Sequence, residues 1–172
     1  MAEIYKVKVF ISWSGKDSRS HIVAKGLRDW IEKVIQLTSP FMSSDDIFPG
    51  ERWNGVLNKE LDSSGFGILC LTRKCLSSPW ILFEAGVLAG GYGSSRRVCP
   101  FLIDLPPNEL NPPINQFNAV VADKDGTYRM MQSLNQTSSG QLIPEEILRA
   151  STPASKSIQG DDKHFRVKHK IP

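Results

Sequence analysis

A chain of 172 residues can bury one sizeable core, with room for a tail or small appendage. Its hydrophobic fraction of 40% and charged fraction of 23% are those of an ordinary soluble globular domain. The net charge of +3, with basic residues scattered up to the C-terminal tail and no aromatic–basic repeat, leaves no footprint for nucleic acid. Three cysteines, Cys70, Cys75 and Cys99, lack CxxC spacing and favour a reducing compartment, where buried thiols act as small hydrophobes. Glu3, Lys6 and Lys8 interrupt any signal-peptide core, and no apolar run reaches the ~20 residues that span a bilayer. A cytoplasmic protein without membrane contact is expected.

Residues 6–12 open as a strand ending in Val9-Phe10-Ile11, continuously apolar as in a central parallel strand. Trp13-Ser14-Gly15-Lys16-Asp17 is a polar turn, and residues 18–35 follow as a helix with Val23, Leu27, Trp30 and Ile31 at helical spacing. Pro40-Phe41-Met42-Ser43 is a short second strand, and residues 44–50 form a loop rich in Asp, Pro and Gly. Trp53, Val56, Leu57 and Leu61 mark a second helix, and residues 65–72 a buried third strand.

The next stretch has both ends marked. Ser78 suits an N-cap, Pro79 the first helical position, and Gly90-Gly91 the left-handed close. Between them nearly every side chain is apolar, which predicts a helix buried on most of its surface. One acid, Glu84, interrupts the run, one turn after Trp80 on the same face. A buried carboxylate is costly unless it is paired or used. Glu84 therefore either points outward, pairs with Arg96 or Arg97, or serves chemistry.

Residues 98–103 read as a fourth strand, 104–116 as a loop with four prolines, 117–122 as a weak fifth strand and 128–134 as a helix. Alternating strands and helices with short links predict an α/β domain with a parallel sheet over residues 1–136. Residues 137–172 are a polar tail with one short helix near 144–150 and a basic end around Lys163 to Lys170. That end is either solvated or a junction to a further domain.

Several chemistries lack their residues. No GxxxxGK[ST] loop or GxSxG elbow occurs, and the glycines from Gly86 to Gly93 end a helix rather than open one. His21, His164 and His169 have no metal spacing, so no metal is expected. A phospho-receiver acid is replaced by Leu71-Thr72-Arg73 at the end of the third strand.

Taken together, Val9-Phe10-Ile11-Ser12-Trp13-Ser14, Asp45-Asp46-Ile47-Phe48-Pro49-Gly50 and Ser78-Pro79-Trp80-Ile81-Leu82-Phe83-Glu84 resemble a bacterial Toll/interleukin-1 receptor (TIR) domain over roughly residues 6–136. The order and spacing of the three motifs carry the resemblance, with the WxxxE pattern of Trp80 and Glu84. It implies a flavodoxin-like fold, five parallel strands in the order 2-1-3-4-5 with helices on both faces. It also implies cleavage of NAD+ at the nicotinamide–ribose bond, to ADP-ribose or a cyclic form, in anti-phage defence or signalling. NAD+ is then the substrate, no cofactor is needed, and partners are further TIR copies and a fused or operon-encoded sensor. By the same resemblance Glu84 matches the catalytic glutamate. Asp46 and Ile47 lie on the loop that borders the site and joins neighbouring subunits.

The topology adds its own argument. In a 2-1-3-4-5 sheet the order reverses between the first and third strands, and ligands bind at their carboxyl ends. Ser12, Trp13 and Lys16 leave the first strand there, and Trp80 and Glu84 follow the third. Trp80 offers a π face to a cationic nicotinamide, Trp13 one to adenine, and Lys16 a charge to phosphate. Each has a plainer role: Trp13 as packing, Trp80 as a staple of the helix start, Lys16 as a solvated loop charge, Asp46 as a loop cap. Two other activities compete, a non-catalytic TIR adaptor and a nucleoside deoxyribosyltransferase-like enzyme.

Overall fold

The computed structural model describes residues 6–16, 18–42, 59–61, 63–89, 97–137 and 143–152. Its elements are β1 (Val7–Ser12), α1 (Arg19–Val34), β2 (Thr38–Met42), β3 (Phe66–Leu71), α2 (Pro79–Ala89), β4 (Arg97–Leu102), β5 (Val120–Val121), α3 (Lys124–Thr137) and α4 (Glu145–Ser151). All neighbours pair in parallel, in the order β2-β1-β3-β4-β5. This is the flavodoxin-like order expected from the sequence. Residues 59–61 and 63 are helical, at the end of the helix expected around Trp53 to Leu61, whose remainder lies outside the described residues.

Alternation along the strands sorts the side chains into two cores. Val9 and Ile11 of β1 face α1 and α3, where they meet Leu27, Ile31 and Met131. Phe10, Leu69 and Leu71 face α2 and pack with Ile81 and Leu88. Each such side chain contributes about 1.5–3 kcal/mol when fully buried. β3 lies between β1 and β4 and is buried at all six positions, which is why its sequence is an unbroken apolar run.

Prolines mark where the sheet lacks a partner. Pro40 sits in the edge strand β2. Pro100 sits inside β4 and is tolerated for a geometric reason. Ile103 and Arg97 send their N–H groups to β3, so the alternate position Pro100 faces β5. Pairing with β5 begins only at Phe101 and Leu102, and no ladder bond is lost.

Three sequence expectations are corrected. The fifth strand keeps only Val120–Val121, because Phe117 donates its N–H to Ile114 and closes a 3-10 turn instead. The helix expected at 128–134 runs over Lys124–Thr137; Asp123 accepts from the Gly126 N–H at 2.7 Å and starts it early. The helix α2 is buried along one stripe, Ile81, Glu84, Ala85 and Leu88, rather than on most of its surface. Its outer positions Pro79, Phe83, Gly86 and Ala89 are exposed, with Phe83 at 46%.

Gly86 gives a first prediction. An added Cβ would meet nothing within 4 Å, so the residue carries the conformational freedom of glycine with no packing reason. Gly86→Ala is expected to stabilise the domain by about 0.5–1 kcal/mol, read as a higher urea midpoint at unchanged slope.

The short helix α4 forms where the sequence placed it and packs on α3. Leu148 is buried in the α1/α3 core, Tyr128 donates to Glu145 at 2.5 Å, and the Arg149 guanidinium lies 4.2 Å from the Tyr128 ring centroid. Asn135 and the Ile143 backbone exchange two hydrogen bonds, at 3.0 and 3.1 Å. Desolvation, with the Glu145 hydrogen bond and charge, raises the Tyr128 phenol above its ordinary value. Packing therefore continues to Thr152, which is buried.

Candidate functional site

β1 and β3 are adjacent, and their following segments diverge to opposite faces of the sheet, so a crevice forms at their carboxyl ends. Ser12 is the last residue of β1 and fully buried. Its hydroxyl donates to Oε2 of Glu84, which comes from the middle of α2 and is also fully buried. The two are 72 residues apart, and the fold alone makes them partners. Of the sequence alternatives, the outward-pointing one is excluded by this burial. Arg97 is not the counter-charge, because its guanidinium bonds Ser133 and Gln136 on α3. Arg96 lies outside the described residues.

The turn after β1 is held from three sides. The Ser14 N–H donates to the Ser20 hydroxyl at 3.2 Å, and the Ser14 carbonyl accepts from the Ser18 hydroxyl at 2.8 Å. Its own hydroxyl donates to Ser78, the residue before α2, at 3.2 Å. Gly15 turns the chain at φ +85°, a conformation that favours glycine. Ser18 then caps α1 by accepting the His21 N–H.

Beside this turn opens a cleft of about 500 Å³, lined by the turn, the first turn of α1, the segment after β3 and the end of β4. Arg19, Lys74 and Asp104 supply its charges, and Thr72 and Cys75 its inner wall. Asp104 accepts the Arg73 N–H at 2.7 Å and pairs with Arg19 at 3.8 Å. Arg73 reaches on to Glu109 at 2.8 Å; this hydrogen bond holds the Glu109 carboxyl below its ordinary value. Lys74 is exposed. The sequence reading missed Arg19, Lys74 and Asp104, although all lie within a few residues of a strand's carboxyl end or the helix that follows. Glu84 does not line this cleft: its carboxylate is enclosed against Ser12, two residues before Ser14.

The remaining candidates divide. Trp80 is half-buried, one turn before Glu84, and stacks on Phe83 with ring centroids 5.6 Å apart. Trp13 packs against the α1/α3 core and stacks on His21 at 4.0 Å, while Trp80 packs with the α2 core. The sheet thus separates the two indoles, and one face of Trp13 is already occupied. Lys16 is exposed in the turn and is not among the residues lining the cleft. Asp46 and Ile47 lie outside the described residues.

The thiols fit their reading as small hydrophobes. Burial pushes Cys70 far up and Cys99 up to about 12, which leaves both protonated and inert. Among the described residues no group of three His, Cys, Asp or Glu is placed to hold a metal, and no helix is long and apolar enough to cross a membrane.

No curated protein gives a significant match. The TIR domains of the activated Roq1 resistosome directly recognizing the pathogen effector XopQ align over 92% of this chain and 87% of that chain, with 18% identity and a TM-score of 0.48. The family model of the TIR domain matches residues 9–136, from the middle of β1 to the end of α3. The chain belongs to the TIR domain family.

Proposed function

We propose that this TIR domain hydrolyses NAD+ at the bond between nicotinamide and ribose. The observation that carries the reading is the Ser12–Glu84 pair: a carboxylate on an otherwise apolar helix, brought to the carboxyl end of β1 where the strand order reverses. One carboxylate suffices for this chemistry. An ordinary glycosidase needs a second to protonate its leaving alcohol, whereas nicotinamide leaves a cationic ring nitrogen as a neutral molecule. The C1′–N bond breaks with its electron pair going to the ring, and water adds to C1′ and loses a proton. Glu84 supplies negative charge to the oxocarbenium-like ribose and accepts its hydroxyls. Trp80 presents a π face to the nicotinamide ring, which is cationic until the bond breaks. Lys74 and Arg19, rather than Lys16, are the described cations of the neighbouring cleft and suit the diphosphate.

The described conformation is closed over Glu84, which is 0% exposed. Substrate therefore reaches it only after neighbouring groups shift, and a lone chain should spend little time open. Self-association supplies a way to hold the open state. Turnover per subunit is expected to rise with protein concentration or crowding, measured as nicotinamide release. Constant specific activity in a preparation that associates would overturn this part.

The same burial favours a second reading. A fully buried Glu84 hydrogen-bonded to Ser12 can simply pin α2 to β1 in a non-catalytic signalling module. Nicotinamide release from NAD+ by purified, clustered protein decides between them, with the Glu84→Gln protein as the control.

A further inference from the structure

At the amino end of the sheet, opposite the Glu84 edge, a second cleft of about 460 Å³ opens between β4, the segment entering β5 and the middle of α3. Its charge is of one sign. Arg97 and Arg129 both line it, together with the amides of Gln116 and Asn118, and no carboxylate lines it among the described residues. Neither arginine forms an ion pair with any described carboxylate. Two guanidiniums at a cleft that no described carboxylate lines repel each other, and a bound anion would relieve that repulsion.

Arg97 is held as a preset donor. Its Nη1 donates to the Ser133 carbonyl at 3.0 Å, the Ser133 hydroxyl at 3.1 Å and Gln136 Oε1 at 3.3 Å. All three bonds fall on one nitrogen, and among the described residues none accepts from Nε or Nη2, which leaves those donors for another acceptor. Apart from Ser133 the rest of the lining is apolar: Phe66 and Val120 are buried beneath it, and Phe117 is half-buried at its side. The volume lies within the ~300–1,000 Å³ range of small-molecule pockets.

We propose that this cleft is a second ligand site, for a molecule of the nucleoside monophosphate class. Arg97 and Arg129 take the phosphate through charge-assisted bonds. The planar base lies on Phe117 and the apolar floor, and Gln116 and Asn118 serve its polar edge. The site lies at the other end of the sheet from Glu84 and stands whether or not the chain releases nicotinamide.

Binding of AMP to the full chain, followed by calorimetry and by backbone NMR shifts, tests this, with inorganic phosphate and adenosine as separate arms. Saturable AMP binding is expected to shift signals at residues 97–99, 116–120 and 129–133. Arg129 is exposed, so Arg129→Gln should fold normally and weaken AMP at least tenfold, while Lys25→Ala, at an exposed position of α1 that lines neither cleft, leaves it unchanged. Inorganic phosphate should bind more weakly than AMP, and adenosine more weakly still. AMP binding lost in Lys74→Ala but kept in Arg129→Gln would place the nucleotide in the other cleft and overturn the proposal. Phosphate binding as tightly as AMP would remove the base from it. No AMP binding, with Arg129→Gln altering sedimentation instead, would make the cleft a contact between copies and overturn it as well.

Discussion

Glu84→Gln is expected to lower nicotinamide release at least a hundredfold, with the melting temperature nearly unchanged. Glutamine keeps the shape of the side chain and an oxygen that can accept from Ser12, but loses the negative charge. If that charge stabilises an oxocarbenium-like ribose, its loss costs roughly 3 kcal/mol of barrier or more. Stability should hardly move, because the Ser12 bond can persist and the burden of burying a charge disappears. Nicotinamide quantified against time, beside a thermal melt of the same samples, gives both readings at once. Near-original turnover in Glu84→Gln would falsify the enzymatic reading.

Ser12→Ala separates position from charge. The carboxylate stays, but the hydroxyl that donates to its Oε2 is gone. A buried acceptor deprived of a partner is destabilised by about 1–3 kcal/mol. In the catalytic reading the substitution lowers turnover less than Glu84→Gln does, since the charge remains while its aim is loosened. In the structural reading Ser12→Ala lowers stability, Glu84→Gln leaves it nearly unchanged, and nicotinamide release is absent from the start. The two substitutions together therefore assign Glu84 a role that neither assigns alone.

What the sequence made legible followed from strong, local patterns. The buried runs Val9-Phe10-Ile11 and Ile68-Leu69-Cys70 could only be interior strands, and the helix spacing of Leu27, Trp30 and Ile31 required α1. Strand order followed from the resemblance to the TIR family, and its reversal between the first and third strands brought Ser12 toward Glu84. Side-chain direction was not legible in the same way. Trp13 and Trp80 each follow a strand end, yet one packs above the sheet and the other below. Which face a turn residue takes is set by the helix it meets, here His21 of α1, and that is a tertiary fact. Lys74 and Asp104 carry no motif at all; they line the cleft only because β3 and β4 end beside β1. The fifth strand is shorter than its expected span for an energetic reason, since a 3-10 turn satisfies the Phe117 N–H in place of the sheet.

The second large effect concerns how that last strand is held. Gly126→Ala is expected to destabilise the domain by about 3 kcal/mol, the upper part of the range for overpacking. A Cβ at this position would lie 2.0 Å from the Val121 carbonyl oxygen and 3.1 Å from its carbon and nitrogen. These are backbone atoms of β5, so no rotamer change can make room. Either the first turn of α3 lifts or β5 withdraws from β4, to which it is joined at only two positions. Lifting the helix would break the Asp123–Gly126 cap at 2.7 Å, and withdrawing the strand would break the Ala122 N–H bond to Leu102 at 2.7 Å. Both routes strip a buried polar group of its partner, which is why the cost exceeds that of a methyl group on a surface helix. For a domain of this size the melting temperature should fall by roughly 6–12 °C. Gly86→Ala on α2 is the internal contrast, the same chemical change where nothing stands within 4 Å. If Gly126→Ala melts within two degrees of the parent protein, α3 does not sit against β5 as closely as described.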